Sequence, residues 1–163
     1  MKKTIKALLY VCSGNVFRSV FAEGYTKHLL NKYNILDVKV NSCGIIAQEN
    51  FRIPSSIKKL FELYNIKEKN LAEHIPTRIN AEILEKTDLV LVMDKGQFDF
   101  IKTNYPQFFG KTFLLKEYVG FFSQPEIFDP IGQPESVYLK TAEEIKICVE
   151  LLVKNLYKIN INN

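Results

Sequence analysis

The apolar run Leu89-Val90-Leu91-Val92-Met93 is the sequence feature that most constrains the fold of this chain. It contains no polar residue at alternate positions, which is typical of a strand covered on both faces. Such strands occur in parallel sheets that lie between layers of helices, with a helix connecting one strand to the next. The run therefore predicts an α/β fold.

Strand-like and helix-like segments alternate along the rest of the chain. Strands are predicted over 6–11, 36–42, 88–93 and 112–115, and helices over 19–33, 54–64, 81–86, 98–105 and 136–156. We expect Ser136 to cap the last helix, and residues 116–134 to form one long irregular segment. Because no repeat or linker divides the sequence, we expect one domain over residues 1–163.

Composition excludes several classes of protein. A net charge of +4 is too small to indicate a nucleic-acid partner, and no apolar run approaches the roughly 20 residues of a membrane span. The apolar stretch over residues 7–12 is also too short for the roughly 7–15 residues of a secretory leader. Cys12, Cys43 and Cys148 are too few for a disulfide framework, so we expect a reducing, cytoplasmic location. The two histidines lack paired spacing, and we expect neither a metal site nor a cofactor.

The segment between the first predicted strand and the first predicted helix has the features of an anion-binding loop. A five-residue spacer between Cys12 and Arg18 allows successive backbone N–H groups to point inward, and the following helix adds its positive end. We expect Gly14 to permit the required backbone conformation, and Arg18 to bind two oxygens of a phosphate. The expected phosphate-binding residues are Ser13, Gly14, Asn15, Val16, Phe17, Arg18 and Ser19.

Cys12 lies at the base of this loop, where the helix end, Arg18 and the Ser19 hydroxyl favour a thiolate. A thiolate facing a bound phosphate is a nucleophile for covalent catalysis. The alternative is that Cys12 is a small buried residue and Arg18 a solvated one. The strand-loop-helix context favours the functional interpretation.

Residues 11–19 resemble the signature loop of the low-molecular-weight protein tyrosine phosphatases. The resemblance extends to Ser42-Cys43-Gly44, to residues 88–94, to Asp129-Pro130 and to residues 132–144. It implies a flavodoxin-like, three-layer sandwich with a four-stranded parallel sheet. It also implies metal-independent hydrolysis of phosphotyrosine through a cysteinyl-phosphate. The implied partners are phosphotyrosine-containing proteins and a cognate bacterial-type tyrosine kinase, and the implied oligomeric state is a monomer.

The same resemblance assigns roles to individual residues. Cys12 is expected to be the nucleophile, Arg18 the phosphate ligand and Asp129 the general acid. The residues expected to support the loop are Asn15, Ser19, Ser42 and His74. Asp94 follows the third predicted strand at the same sheet edge and is either a rival acid or a helix cap, of which we favour the cap.

The chain departs from the family pattern at two places. Phe17 stands where many members have a second cysteine that traps an oxidised nucleophile, which leaves Cys43 as a substitute, whereas Cys148 is expected in the core. Ile131 and Gly132 stand where aromatic residues often hold the phosphotyrosine ring. Phe17, Phe51 and Tyr118 are candidates for the mouth of the site, or are packed in the core.

Three alternatives compete with phosphotyrosine hydrolysis. An arginine phosphatase of the same family calls for Thr at the position of Val16, and an arsenate reductase calls for relay cysteines that Cys43 and Cys148 do not resemble. A non-catalytic phosphate-binding module needs neither Cys12 nor Asp129. The joint presence of Cys12 and Asp129 favours an enzyme.

Overall fold

The computed structural model describes residues 4–67 and 71–158, which contain a four-stranded, all-parallel sheet with helices on both faces. The strands are β1 (Ala7–Cys12), β2 (Lys39–Gly44), β3 (Leu89–Val92) and β4 (Thr112–Leu114), in the order β2-β1-β3-β4. The expected α/β class and parallel sheet are confirmed. Residues 1–3, 68–70 and 159–163 of the expected domain lie outside the described residues.

The helices connect the strands in the predicted alternation. They are α1 (Arg18–Lys32), α2 (Ser55–Leu63), α3 (Ala81–Glu85), α4 (Lys95–Asn104), α5 (Leu115–Tyr118) and α6 (Glu135–Tyr157), with a 3₁₀ helix at Pro106–Lys111. Within the described ranges, each helix is too short or too polar to span a bilayer.

Two local predictions differ from the structure. Ser136 does not cap α6, because the helix begins at Glu135 after Pro134, whose φ of −59° already suits a helix start. The segment 116–134 is not wholly irregular, because the short helix α5 follows directly from β4. Four residues are too few to produce a periodic apolar pattern in the sequence.

The central strand β1 is buried on both faces. It pairs with β2 on one side and β3 on the other, with Cys12 opposite Gly44. Leu8, Tyr10 and Cys12 belong to the core that α1, α2 and α6 cover, whereas Leu9 and Val11 belong to the core on the opposite face. This alternation explains why the strand sequence shows no polar face.

Because the strands are parallel, the carboxyl ends of β1, β2 and β3 meet at one edge of the sheet. The loop after β1, the residues after Gly44 and Asp94 after β3 are thereby brought together. The candidate site lies at this edge.

We predict that Leu91→Ala destabilises the fold by about 2–5 kcal/mol, because Leu91 is fully buried in β3 and its truncation leaves a cavity. The matched control is Leu63→Ala, where the same atoms are removed from a side chain that is 72% exposed. Urea unfolding monitored by circular dichroism measures both free energies. Equal losses in the two variants would contradict the placement of β3 in the core.

Candidate active site

Cys12 ends β1 and faces the first turn of α1 across the loop 13–17. Its Sγ lies 2.9 Å from the hydroxyl oxygen of Ser19, and the residue is only 3% exposed. The 15-residue helix α1 directs its positive end toward this loop. The surroundings of the sulfur thus combine a hydroxyl, a helix end and the base of the loop.

Asn15 holds the curve of the loop. Its backbone has φ of 55°, in the left-handed region that asparagine tolerates better than most residues. The expectation that Gly14 supplies the special conformation is therefore wrong, because the left-handed residue is Asn15. The short polar side chain of Asn15 can hydrogen-bond locally, which offsets the strain of this conformation.

The side chain of Asn15 is fully buried and uses its amide on both sides. Its Nδ2 donates to the hydroxyl oxygens of Ser19 and Ser42, both at 2.9 Å, and its Oδ1 accepts from the Thr77 N–H at 2.9 Å. The Asn15 carbonyl oxygen lies 2.8 Å from Nε2 of His74. All four residues that the family resemblance names as loop supports are in this network.

Glu23 is a member of the network that sequence reasoning missed. Its carboxylate accepts a 2.5 Å hydrogen bond from the Ser42 hydroxyl and pairs with Lys27 one turn further along α1. Because Ser42 donates to Glu23, its oxygen is free to accept from Asn15. No sequence motif marks Glu23, since its contact with β2 depends on how α1 packs on the sheet.

Gly44 allows β2 to approach the loop closely. A Cβ at this residue would lie 2.5 Å from the Ser13 carbonyl oxygen and 2.8 Å from the Asn15 nitrogen, both backbone atoms. The next two residues, Ile45 and Ile46, donate their N–H groups to the carbonyl oxygens of Cys12 and Ser13, each at 3.0 Å. The strand end therefore supports the loop from below at a distance that only glycine permits.

Arg18 joins three segments at the mouth of the loop. Its Nη1 donates to Asp94 at 2.8 Å and to the Ile127 carbonyl oxygen at 2.9 Å, and its Nη2 donates to Asp129 at 2.8 Å. The Arg18 side chain is 3% exposed, whereas those of Asp94 and Asp129 are 26% and 39% exposed. The fold thus brings Asp129, which lies 111 positions after Arg18 in the sequence, to the loop that carries Cys12 and Arg18.

Asp94 caps α4, as the sequence indicates. Its Oδ1 accepts the Gln97 N–H at 3.0 Å, and the Gln97 side chain returns a bond to the Asp94 N–H, which completes a capping box. Its Oδ2 accepts from Arg18 and from the Gln97 amide at 2.8 and 2.7 Å. Asp94 thus has the contacts of a helix cap, and its side chain is less exposed than that of Asp129.

A groove with a volume of about 370 Å³ opens beside the loop. It is lined by Val16, Phe17, Phe51, Arg52, Pro54, Ile131, Gly132 and Tyr138. Phe17 is 3% exposed and also packs in the core, with its ring centroid 4.9 Å from that of Tyr138. The third candidate for the mouth, Tyr118, instead packs against Phe113.

Tyr138, on α6, is a groove residue that the sequence did not single out. Burial raises the pKa of its phenol, and the charge of Asp129 adds to this effect. Its position near the Asp-Pro turn arises from the packing of α6, so the wall of the groove comes partly from a helix distant in sequence.

Cys43 does not face Cys12. Its side chain lies in the core on the opposite face of the sheet, where it is 0% exposed and where burial raises the pKa of its thiol. A disulfide needs the two Cβ atoms within about 4.5 Å, so joining these residues would require the backbone to move. The expectation that Cys43 replaces the missing second cysteine is wrong, whereas Cys148 is buried in the core as predicted.

Within residues 4–67 and 71–158, no three acidic, histidine or cysteine side chains converge on a position where they would bind a metal ion. The groups at the site are instead a thiol, a guanidinium, a carboxylate and the N-terminal end of α1. These groups are suited to binding and attacking a tetrahedral oxyanion.

A parallel α/β sheet with a cysteine and an arginine on the loop between its first strand and first helix defines a class of anion-binding proteins. The family model of the low molecular weight phosphotyrosine protein phosphatases matches residues 7–160, and the chain belongs to this family.

Individual relatives cover nearly the whole chain. A protein-arginine-phosphatase of Bacillus subtilis is 32% identical over 93% of this chain and 97% of its own length. A crystal structure of a low molecular weight protein tyrosine phosphatase from T. tengcongensis has a TM-score of 0.82 and 32% identity, covering 91% of this chain and 98% of that one. A YwlE arginine phosphatase with a cysteine-to-serine mutation and a phosphorylated active-site serine has a TM-score of 0.84 and 28% identity, covering 93% of this chain and 96% of that one.

We predict that Gly44→Ala lowers phosphatase activity by about tenfold or more, because the added methyl group displaces the backbone of the loop. Gly110→Ala is the control, since a Cβ there meets nothing within 4 Å. Initial rates with p-nitrophenyl phosphate compare the two, and thermal unfolding checks that each variant is folded. Full activity of a folded Gly44→Ala protein would contradict the close approach.

Proposed function

We propose that this chain hydrolyses phosphotyrosine in proteins through a cysteinyl-phosphate on Cys12. The observation that carries the proposal is the convergence of Cys12, Arg18 and Asp129 on one loop whose backbone is fixed by Asn15. Each of the three supplies a different requirement of phosphoryl transfer: a nucleophile, a charge clamp and a proton.

In the first step, the Cys12 thiolate attacks phosphorus while the bond to the leaving oxygen breaks. Asp129 gives its proton to that oxygen, so the tyrosine leaves as a neutral phenol. In the second step, the Asp129 carboxylate takes a proton from water, the water oxygen attacks phosphorus, and the S–P bond breaks to return the thiolate. The phosphorylated serine in the YwlE mutant supports a covalent intermediate at the equivalent position.

The ion pair between Arg18 and Asp129 prepares the site for this sequence. In the structure, Nη2 of Arg18 donates to Asp129 at 2.8 Å. A phosphate bound in the loop competes for the same edge of the guanidinium and places negative charge beside the carboxylate. Binding thereby releases Asp129 from Arg18, so that its carboxyl group can turn toward the leaving oxygen.

The groove favours an aromatic substrate over a guanidinium-bearing one. Of the eight residues that line it in the described part of the chain, Arg52 is the charged one, and it would repel the cation of an arginine side chain. Val16, which lies in the loop and is 8% exposed, adds an apolar side chain to the groove. An apolar wall and a positive rim fit a phenyl ring in a peptide with acidic neighbours.

The second candidate is phosphoarginine hydrolysis. It is favoured by the similarity of this chain to the arginine phosphatase of Bacillus subtilis, which is 32% identical. The chemistry at Cys12 and Arg18 would be the same for both substrates. The two substrates would differ in the side chain that the groove must accommodate and in how strongly the leaving group needs a proton.

We further propose that the partners are phosphotyrosine-containing proteins modified by a cognate bacterial-type kinase, and that the enzyme acts as a monomer in the cytoplasm. The three cysteines support a reducing environment, since all are unpaired and buried in the structure. The whole site lies within one chain, which supports a monomer.

We predict that Cys12→Ser abolishes phosphate release from a phosphotyrosine peptide in chelator-containing buffer but retains binding of inorganic phosphate. The serine hydroxyl is a far weaker nucleophile, while the N–H groups of the loop and Arg18 stay in place. A phosphoarginine peptide assayed in parallel decides between the two substrates. Turnover by the mutant would refute the cysteinyl mechanism, and phosphate binding without turnover by the native chain would indicate a binding module.

A second test concerns the acid. Asp129→Asn is nearly isosteric and keeps one oxygen, which can accept from Arg18 as Oδ2 of Asp129 does, but it cannot carry the proton. We predict a loss of about 100-fold in kcat for phenyl phosphate and a much smaller loss for p-nitrophenyl phosphate, whose leaving group needs no proton. Equal losses for the two substrates would count against Asp129 as the acid.

A further inference from the structure

Gln97 is a buried amide at the site, and its contacts reach beyond the capping box that it forms with Asp94. It lies in the first turn of α4, is 0% exposed, and uses both ends of its side chain. Its Oε1 accepts the backbone N–H groups of Met93 at 2.8 Å and Asp94 at 3.2 Å. Its Nε2 donates to Asp94 Oδ2 at 2.7 Å and to the Ser13 hydroxyl oxygen at 3.2 Å.

These partners determine which end of the amide is which. A backbone N–H can only donate, so the atom that faces Met93 and Asp94 nitrogens must be the amide oxygen. A carboxylate can only accept, so the atom that faces Asp94 Oδ2 must be the NH₂ group. Gln97 therefore presents a hydrogen-bond donor to Ser13.

The consequence for Ser13 is that its hydroxyl proton points elsewhere. The Ser13 oxygen faces the Gln97 NH₂ group at 3.2 Å and Nη2 of Arg18 at 3.5 Å, and both of these nitrogens are donors without an acceptor lone pair. Neither contact uses the hydroxyl proton. Because Ser13 directly follows Cys12 in the loop, this proton is available to an oxygen of the substrate phosphate.

Gln97 also acts on Arg18 through Asp94. The carboxylate oxygen of Asp94 that accepts from Gln97 at 2.7 Å accepts from Arg18 at 2.8 Å as well. The second oxygen of Asp94 is held by the Gln97 backbone N–H at 3.0 Å. The orientation of the Arg18 guanidinium thus depends on a carboxylate that Gln97 fixes from two directions.

We propose that Gln97 is a positioning residue with two effects. It leaves the Ser13 hydroxyl to donate a hydrogen bond to the substrate phosphate, and it fixes the orientation of the Arg18 guanidinium through Asp94. The proposal rests on the proposed phosphatase function, which it deepens. It assigns the Ser13 side chain to the phosphate site in addition to the backbone of the loop. It also makes the positions of the Ser13 hydroxyl and the Arg18 guanidinium depend on a residue of α4.

The first experiment tests the Ser13 hydroxyl. Hydrogen bonds to charged groups of this kind contribute about ten- to 100-fold in binding, so we expect Ser13→Ala to raise the Kd of inorganic phosphate by at least about tenfold. Ser13→Thr keeps the hydroxyl and is expected to stay within about threefold of the native chain. Isothermal titration calorimetry measures these constants without turnover. Equal phosphate affinity of the native chain and Ser13→Ala would overturn the proposal.

The second experiment tests Gln97 through a pH profile. Gln97→Glu has nearly the same shape but replaces the NH₂ group by an oxygen that faces Asp94, and two carboxylates this close cannot both ionise freely. The variant is expected to retain most activity at low pH, where the pair holds a proton, and to lose about tenfold more kcat/KM than the native chain as pH rises. A native-to-variant ratio that is constant with pH would contradict the positioning role.

A double variant separates this role from a merely structural one. Because Gln97 acts on phosphate partly through Ser13, Ser13→Ala combined with Gln97→Met is expected to bind phosphate about as weakly as Gln97→Met alone. Independent losses that multiply would refute the coupling.

Asn80→Ala is the control for the loss of a helix cap. It removes the side-chain cap of α3, where Asn80 Oδ1 accepts the Ile83 N–H at 2.9 Å. Asn80→Ala is expected to lower the free energy of unfolding about as much as Gln97→Met does, while keeping the phosphate Kd and kcat of the native chain. If it lost phosphate binding as Gln97→Met does, the loss would be a general effect of stability and the proposal would fail.

Failure of the proposed phosphatase function and failure of the Gln97 role give different results. If the native chain bound phosphate but released none from a phosphotyrosine or phosphoarginine peptide, the proposed function would be wrong. The calorimetric comparison of Ser13 and Gln97 variants would still decide whether Gln97 positions the loop. Absence of turnover in the native chain is thus distinguishable from absence of the proposed Gln97 effect on phosphate binding.

Discussion

The buried guanidinium of Arg18 is the interaction on which the rest of the site depends. A cation that is 3% exposed is tolerated only when its N–H groups are matched by acceptors, and here Asp94, Asp129 and the Ile127 carbonyl supply them. These acceptors come from the end of β3 and from the loop before α6. The charge on one side chain of α1 therefore determines where two distant segments lie relative to Cys12.

A second group of contacts fixes the floor of the site as Arg18 fixes its mouth. Asn15 links the loop to Ser42 on β2 and to Thr77. The backbone of β2 at Gly44 lies so close to the loop that a Cβ would not fit between them. Within the described ranges, no buried side-chain polar atom lacks a hydrogen-bond partner. Fully satisfied polar networks of this kind resist rearrangement, because any shift leaves a buried group unpaired. The loop is thus shaped before a substrate arrives, as electrostatic catalysis requires.

The sequence predicted what depends on local pattern, and missed what depends on packing between distant segments. The apolar run at 89–93 predicted a parallel sheet, the spacing of Cys12 and Arg18 predicted an anion-binding loop, and the family resemblance implied the four-stranded, flavodoxin-like form. Gln97 carried a weak local signal, since an aspartate followed three residues later by glutamine is a capping box, but its contact with Ser13 spans 84 positions.

Strand register explains why the expectation for Cys43 was wrong. Cys43 lies in β2, the strand that supports the loop, but it is paired with Val11, and its side chain lies on the opposite face of the sheet from that of Cys12. In Asn15 the preference for a left-handed backbone was visible in the residue type, but the neighbouring Gly14 was the more obvious candidate.

Phe17 links the chemistry of the site to the stability of the fold. The residue directly before Arg18 is a core side chain whose ring packs edge-on against Phe61 on α2 and Tyr138 on α6. Phe17 therefore provides no thiol with which a sulfenic acid formed on Cys12 could condense. A cysteine placed there would restore that protection only by emptying the space where three helices meet. In this protein, tolerance of oxidants and cohesion of the core compete for the same residue.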